Sequence, residues 1–162
     1  VTVVPGTWGA QQIWSLGPAG VLFSNGPGDP CDAKEAIEAA RQLLGRVPLF
    51  GICLGHQVMA LAGGASTYRL KYGHRGVNHP VRDLATGRVF ITSQNHGFAV
   101  CDGPLAELGI RVTHRHVNDG TVEGLEFEGR YAFSVQYHPE ARPGPDDSSY
   151  LFDRFLAMLA GD

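Results

Sequence analysis

A surplus of positive charge is the first thing this 162-residue sequence lacks. Thirteen Lys and Arg stand against 16 Asp and Glu, a formal net charge of -3. That leaves no basic field for nucleic acid. No apolar run approaches the length of a membrane span, and no basic segment followed by an apolar one marks a signal peptide. Cysteine is scarce: Cys31, Cys53 and Cys101 form an odd set without paired spacing. This argues against a secreted disulfide framework and for a reducing, cytoplasmic setting. C-x-x-C and H-E-x-x-H are absent, which weakens a metal reading. Cys53 with His56, and His114 with His116, are the remaining weak metal candidates. The two histidines alternate on a strand and are expected on its polar face. No metal or organic cofactor is expected.

What is present is an ordinary globular composition, 43% hydrophobic and 18% charged. The length suits one compact domain with a real core. The first half alternates strand and helix. Thr2-Val3-Val4 reads as a strand before Pro5-Gly6, and "GTWGAQQIWSLGPAG" as a poor crossover helix. Gly20 to Ser24 is a short apolar strand, followed by the turn "NGPGDP". Asp29-Pro30 is a helix start, with an N-cap acceptor and then proline at the first helical position. Ala33, Ala36, Ile37, Ala40, Leu43 and Leu44 continue at helical spacing up to Gly45. Val47 to Ile52 is the next strand. Leu54, Val58, Leu61 and Ala62 form a second stripe, closed by Gly63-Gly64.

Two successive β-α units predict a parallel sheet flanked by helices, with sites at the carboxyl ends of its strands. The second half predicts shorter strands at 77–84, 88–93, 110–118, 122–128 and 131–136. Asp119-Gly120 marks a hairpin, and Tyr150 to Leu159 a closing helix. The fold class is therefore α/β, a central mostly parallel sheet with a smaller antiparallel portion, in a single domain over 1–162. The start directly in a strand suggests that a first β-α unit is missing.

"PLFGICLGHQ" carries the chemistry. Gly51-Ile52-Cys53-Leu54-Gly55 is G-x-C-x-G between strand and helix, the cysteine counterpart of the nucleophile elbow. A tight, strained turn requires small neighbours. The helix amino terminus favours thiolate over thiol, and the Leu54 N–H is placed to bind an oxyanion. The alternative is a buried small residue between structural glycines. His138-Pro139-Glu140 offers a base and a carboxylate two residues apart, on one side of an extended chain. The alternative there is a surface histidine before a turn. In Ser24-Asn25-Gly26-Pro27-Gly28-Asp29-Pro30 the backbone can approach a ligand closely. That stretch lacks G-x-G-x-x-G and the P-loop lysine.

The elbow with His138-Pro139-Glu140 resembles the class I (triad) glutamine amidotransferases. Within them the chain is similar to the glutaminase domain of carbamoyl-phosphate synthetase small subunits. "LFSNGPGDP" from Leu22, "KYGHRGVNHPV" from Lys71, "QNHGFAV" from Gln94 and "HPEARPGPDDSSYLFDRF" from His138 carry that narrower match, in order along the chain. The resemblance implies the flavodoxin-like fold of that class. It implies Cys53 as nucleophile, His138 as base and Glu140 as orienter, with an oxyanion hole from Gly26 and Leu54. It implies glutamine contacts by Gly26, Gly28, Leu54, Gln57, Asn95, Gly97 and Phe98, and places His96 near the synthetase interface. The implied partner is the large synthetase subunit, which would receive ammonia for carbamoyl phosphate synthesis in arginine and pyrimidine formation. By the resemblance, the family's first β-α unit and the small subunit's amino-terminal domain are expected to be missing from this chain. Val135 and Tyr137 stand where family members usually have phenylalanine and glycine, so Tyr137 is expected to narrow the pocket. Two other readings stay open: another cysteine hydrolase or amidotransferase of this fold, and a truncated domain that only binds a partner. Cys31 and Cys101 have no assigned chemistry.

Overall fold

A computed structural model of the chain describes residues 1–141 and 149–161. Part of the "HPEARPGPDDSSYLFDRF" stretch, residues 142–148, lies outside that range. Among the described residues seven strands form a single sheet: β1 (Val21–Phe23), β2 (Leu49–Ile52), β3 (Thr67–Asp83), β4 (Val89–Val100), β5 (Ile110–His116), β6 (Val122–Phe127) and β7 (Ala132–Val135). Their spatial order is β1-β2-β7-β6-β5-β3-β4. The helices are α1 (Ala10–Trp14), α2 (Lys34–Leu43), α3 (Leu54–Ala62) and α4 (Tyr150–Ala160). None of the described helices is long and apolar enough to cross a membrane.

The fold class is the expected α/β one, but the balance within the sheet differs. Only β1–β2 and β2–β7 pair in parallel. The pairings β7–β6, β6–β5, β5–β3 and β3–β4 are all antiparallel. Parallel pairing needs a crossover: a 3-10 turn and α2 carry the chain from β1 to β2, and α3 followed by strands β3 to β6 carries it from β2 to β7.

The centre of the sheet is covered on both faces. Every residue of β2 is buried, as expected for a strand covered on both sides. Leu49 joins a core cluster with Ala39, Leu43, Met59 and Ala60 from α2 and α3. Its neighbour Phe50 points the other way, into a cluster with Phe133 and with Leu151 and Phe155 of α4. Phe50 and Phe133 stack at 4.5 Å between centroids. Burial of side chains this large contributes about 1.5–3 kcal/mol each.

Several local readings need correction. Thr2 to Val4 is not a strand; these residues have no sheet partner, and Val1 and Val3 are fully exposed. Asp29 does cap a turn, accepting the Cys31 N–H at 2.9 Å. That turn is a separate 3-10 segment, Pro30–Asp32, and α2 starts only at Lys34. Strand β3 begins ten residues before the expected Val77. Register shifts between Arg69 and His74 and between Gly76 and His79 break its alternation, so a period-two pattern could not reveal it. The Asp119-Gly120 turn joins β5 to β6 as expected, with Gly120 at φ 75°.

Candidate active site

Cys53 sits between β2 and α3 with φ 53° and ψ -102°. It is one of two non-glycine residues with positive φ among those described. Strain of this kind costs on the order of 1–3 kcal/mol and persists only where neighbours enforce it. Three neighbours do. The Cys53 N–H donates to the Val135 carbonyl at 2.9 Å, anchoring the turn to β7. A Cβ on Gly55 would lie 2.0 Å from the Phe23 carbonyl oxygen, and one on Gly51 would lie 2.7 Å from the Gly55 oxygen. The small residues of G-x-C-x-G are thus demanded by the close approach of β1, β2 and α3.

A cavity of about 390 Å³ opens over the cysteine. Its walls come from the β1 turn (Gly26, Gly28), the elbow (Cys53, Leu54), Gln57 of α3, the β4 stretch from Asn95 to Phe98, and His138. Every expected site residue except Glu140 lines it. Leu54 is the first residue of α3, so its N–H has no intrahelical acceptor. Gly26 packs directly against it: a Cβ there would fall 2.7 Å from Leu54 Cδ2.

His138 is fixed at both ends. Its backbone N–H donates to the Ser93 carbonyl at 2.9 Å, and its Nδ1 meets Glu140 Oε1 at 2.8 Å. Glu140 lies outside the cavity, on the far side of the ring from Nε2. Nε2 is buried and makes no conventional hydrogen bond among the described residues. The Cys53 sulfur is nonetheless the largest influence on the ring, with Glu140 second. Together they outweigh burial and raise His138 to about 10. The Glu140 carboxyl is held below its ordinary value by His138, against the opposing effect of burial, which is the larger single influence. A ring of raised basicity with a buried, unpaired Nε2 can hold a proton at that atom and deliver it into the cavity.

A match to the family model described as "Glutamine amidotransferase class-I" runs over residues 1–158. The chain belongs to the class I glutamine amidotransferase family. Among curated relatives, it is 58% identical over 159 residues to a carbamoyl phosphate synthase pyrimidine-specific small chain of Halalkalibacterium halodurans, covering 98% of this chain and 44% of that protein. It is 57% identical over 161 residues to a carbamoyl phosphate synthase small chain of Listeria monocytogenes, covering 99% of this chain and 44% of that one. The chain therefore spans less than half the length of these relatives. A crystal structure of a Thermoplasma acidophilum protein, provisionally named as part of a GMP synthase, superposes with a TM-score of 0.82 at 20% identity. It covers 99% of this chain and 81% of that one, and supports the amidotransferase fold.

Within this amidotransferase domain the structure adds residues that motif reading missed. Arg75 lines the cavity. Gln136 is fully buried behind the sulfur, with Nε2 at 3.7 Å from Cys53 Sγ and Oε1 accepting from Gln57 Nε2 at 2.9 Å. Gln57 Nε2 also donates to the Phe98 carbonyl at 2.8 Å. Both amide hydrogens of Gln57 are therefore committed to the cavity wall. Gln136 follows Val135, whose carbonyl anchors the elbow; its burial is a tertiary fact with no motif signal.

Tyr137 does not narrow the cavity. It is 1% exposed and packs in the core with Phe50, Phe133 and Leu151. The remaining histidines are internal. His114 and His116 are buried, not on a solvated face. His114 contacts Thr113 Oγ1 at 2.9 Å and Tyr150 Oη at 3.3 Å. His56 is fully buried against Ser134 Oγ and held neutral, its value pushed down to about 3 mainly by desolvation.

His74, His79 and His116 come close enough to suggest a cation site, but five of their six ring nitrogens already have partners. His74 bridges Gln94 Oε1 and Asp119 Oδ2 at 3.0 and 2.8 Å. Glu123 and then Asp119 raise it to about 9 against desolvation. His116 Nδ1 accepts the Asn118 N–H, which leaves its proton on Nε2 facing His79 Nδ1 at 3.1 Å. No described group of three or more metal-type ligands includes Cys53, His56 or His114.

Proposed function

We propose that the chain hydrolyses glutamine to glutamate and ammonia through a Cys53–His138–Glu140 triad. The reaction would supply ammonia to a large synthetase subunit that makes carbamoyl phosphate. The observation that carries this reading is a strained Cys53 sharing one cavity with a His138 whose far nitrogen is held by Glu140. The relatives named as carbamoyl phosphate synthase small chains support the biosynthetic assignment.

The proposed steps use residues that line the cavity, with Glu140 behind the His138 ring. Cys53 thiolate attacks Cδ of the glutamine amide, forming a C–S bond, and the carbonyl electron pair moves to oxygen. The N–H groups of Gly26 and Leu54 receive that oxyanion; loss of one such donor costs about 3 kcal/mol of barrier. His138 gives its Nε2 proton to the amide nitrogen, the C–N bond breaks, and ammonia leaves. Water then loses a proton to Nε2 and attacks the thioester, releasing glutamate and regenerating the thiolate. Gly28, Gln57, Asn95, Gly97 and Phe98 form the substrate walls.

The test is ammonia release from glutamine, asparagine and glutamyl peptides, with and without a large synthetase subunit. Selective release from glutamine, abolished in Cys53→Ser and stimulated by the subunit, is expected. Release at the parent rate by Cys53→Ser would overturn the nucleophile. Equal release from asparagine or peptides would point to a different hydrolase.

A further inference from the structure

Arg75 is the one cavity-lining side chain with a permanent charge that motif reading did not assign. We infer that its guanidinium binds the α-carboxylate of the substrate, fixing the far end of glutamine while Cys53 attacks the amide. The inference rests on the glutaminase reading above.

The site is built for a guanidinium. The register shift between Arg69 and His74 carries Gly73 into positive φ, 72°. A Cβ on Gly73 would lie 2.8 Å from Arg75 Nη1 and 2.7 Å from the His96 carbonyl oxygen, so only glycine leaves room for the group. Gly97, in the opposite strand, would bring a Cβ to 3.8 Å from Nη2. Nη1 donates to the Tyr72 carbonyl at 2.8 Å, which fixes the plane of the fork. No carboxylate lies within ion-pair reach of Arg75 among the described residues, unlike Arg41, Arg111, Arg115 and Arg154. A held but unpaired arginine beside a cavity suits a planar anion, because its remaining N–H groups can bind both oxygens of a carboxylate.

Arg75 pairs across the ladder with Asn95, and the Asn95 carbonyl oxygen is 4.0 Å from Cys53 Sγ. The Arg75 backbone therefore lies one strand beyond Asn95, a step of about 5 Å, and its side chain lines the same cavity as Cys53. In extended glutamine the amide carbon and the carboxylate carbon are separated by about 5 Å. No lining residue is acidic, so nothing in the wall competes for the guanidinium.

The test is saturable inactivation of the chain by 6-diazo-5-oxo-L-norleucine, a diazoketone analogue of glutamine, and by its α-carboxamide derivative. Parent, Arg75→Lys and Arg75→Met are compared, with modification at Cys53 read by peptide mass. Iodoacetamide labelling of Cys53 reports whether the elbow is intact. In Arg75→Met the half-saturating concentration should rise roughly 10- to 100-fold. The limiting rate and the iodoacetamide rate should stay within about threefold. The parent should prefer the carboxylate analogue; Arg75→Lys should keep part of that preference and Arg75→Met none. An unchanged half-saturation in Arg75→Met, or a parent indifferent to the carboxylate, overturns the inference. The parent comparison needs no variant to fold. If neither analogue labels Cys53 while iodoacetamide does, the glutaminase reading itself fails, and this inference with it.

Discussion

The side-chain amide of Gln57 donates to Gln136 Oε1 at 2.9 Å, and the Gln136 amide group in turn stands 3.7 Å from the Cys53 sulfur. Two buried amides therefore connect the cavity wall to the Cys53 sulfur. Gln136→Ala breaks the connection and leaves the Gln57 amide one acceptor short. A buried unsatisfied donor costs about 1–3 kcal/mol. Thermal melting should register that loss, and iodoacetamide labelling of Cys53 should slow. Parent-like melting and labelling in Gln136→Ala would mean that the amide pair is incidental.

The positive φ at Cys53 predicts an inversion of the usual ranking of small residues. Glycine adopts φ 53° without strain, whereas alanine keeps it. Cys53→Gly should therefore melt above Cys53→Ala, by about 1 kcal/mol or more, while both lose activity. Differential scanning calorimetry of the two variants is the check. An alanine variant as stable as the glycine variant would show that the elbow is unstrained.

Gly55 gives the opposite case. A Cβ there meets backbone, the Phe23 oxygen at 2.0 Å, and not the movable end of a side chain. Gly55→Ala must push β1 away from α3, at a cost of about 3 kcal/mol or more. Soluble yield and urea midpoint should fall, and the Gly26 side of the cavity should shift with β1. An unchanged midpoint would contradict the packing described.

Glu140 should set the alkaline limit of turnover. His138, raised to about 10, keeps its proton through neutral pH. The stability that this raised value contributes is complete below the ordinary 6.5 and is lost as pH passes 10. Glu140→Gln removes the second-largest raising influence, so His138 should lose its proton at lower pH. The alkaline limb of the rate profile should move down, and kcat should drop roughly 10²- to 10⁴-fold. An unmoved limb would remove Glu140 from the triad.

The elbow and the His138–Glu140 pair were legible because their chemistry is local. G-x-C-x-G reports a steric demand within five residues, and two-residue spacing on an extended chain brings His138 and Glu140 together. The central strands showed as short apolar runs because β2 and β7 are covered on both faces. Strand β3 did not show, because its bulges destroy the alternation that marks a strand. Arg75 was hidden for the same reason: only the pairing with Asn95 brings it to the cavity. Gln136 and Tyr137 were misjudged or missed because side-chain direction at the end of β7 is settled by packing against Cys53 and Phe50 respectively. His114 and His116 escaped a polar-residues-outside reading because Thr113, Tyr150, the Asn118 N–H and His79 take up their ring nitrogens inside the fold.

The most direct test of the account is where a glutamine analogue attaches. Cys31 is exposed and Cys53 is buried at the floor of the cavity, so simple accessibility favours Cys31. Incubation with one equivalent of 6-diazo-5-oxo-L-norleucine followed by peptide mapping separates the two. Modification confined to Cys53, blocked by excess glutamine and lost in His138→Asn, is the predicted result. Modification of Cys31 or Cys101 at a comparable rate, or labelling of Cys53 indifferent to glutamine, would contradict it.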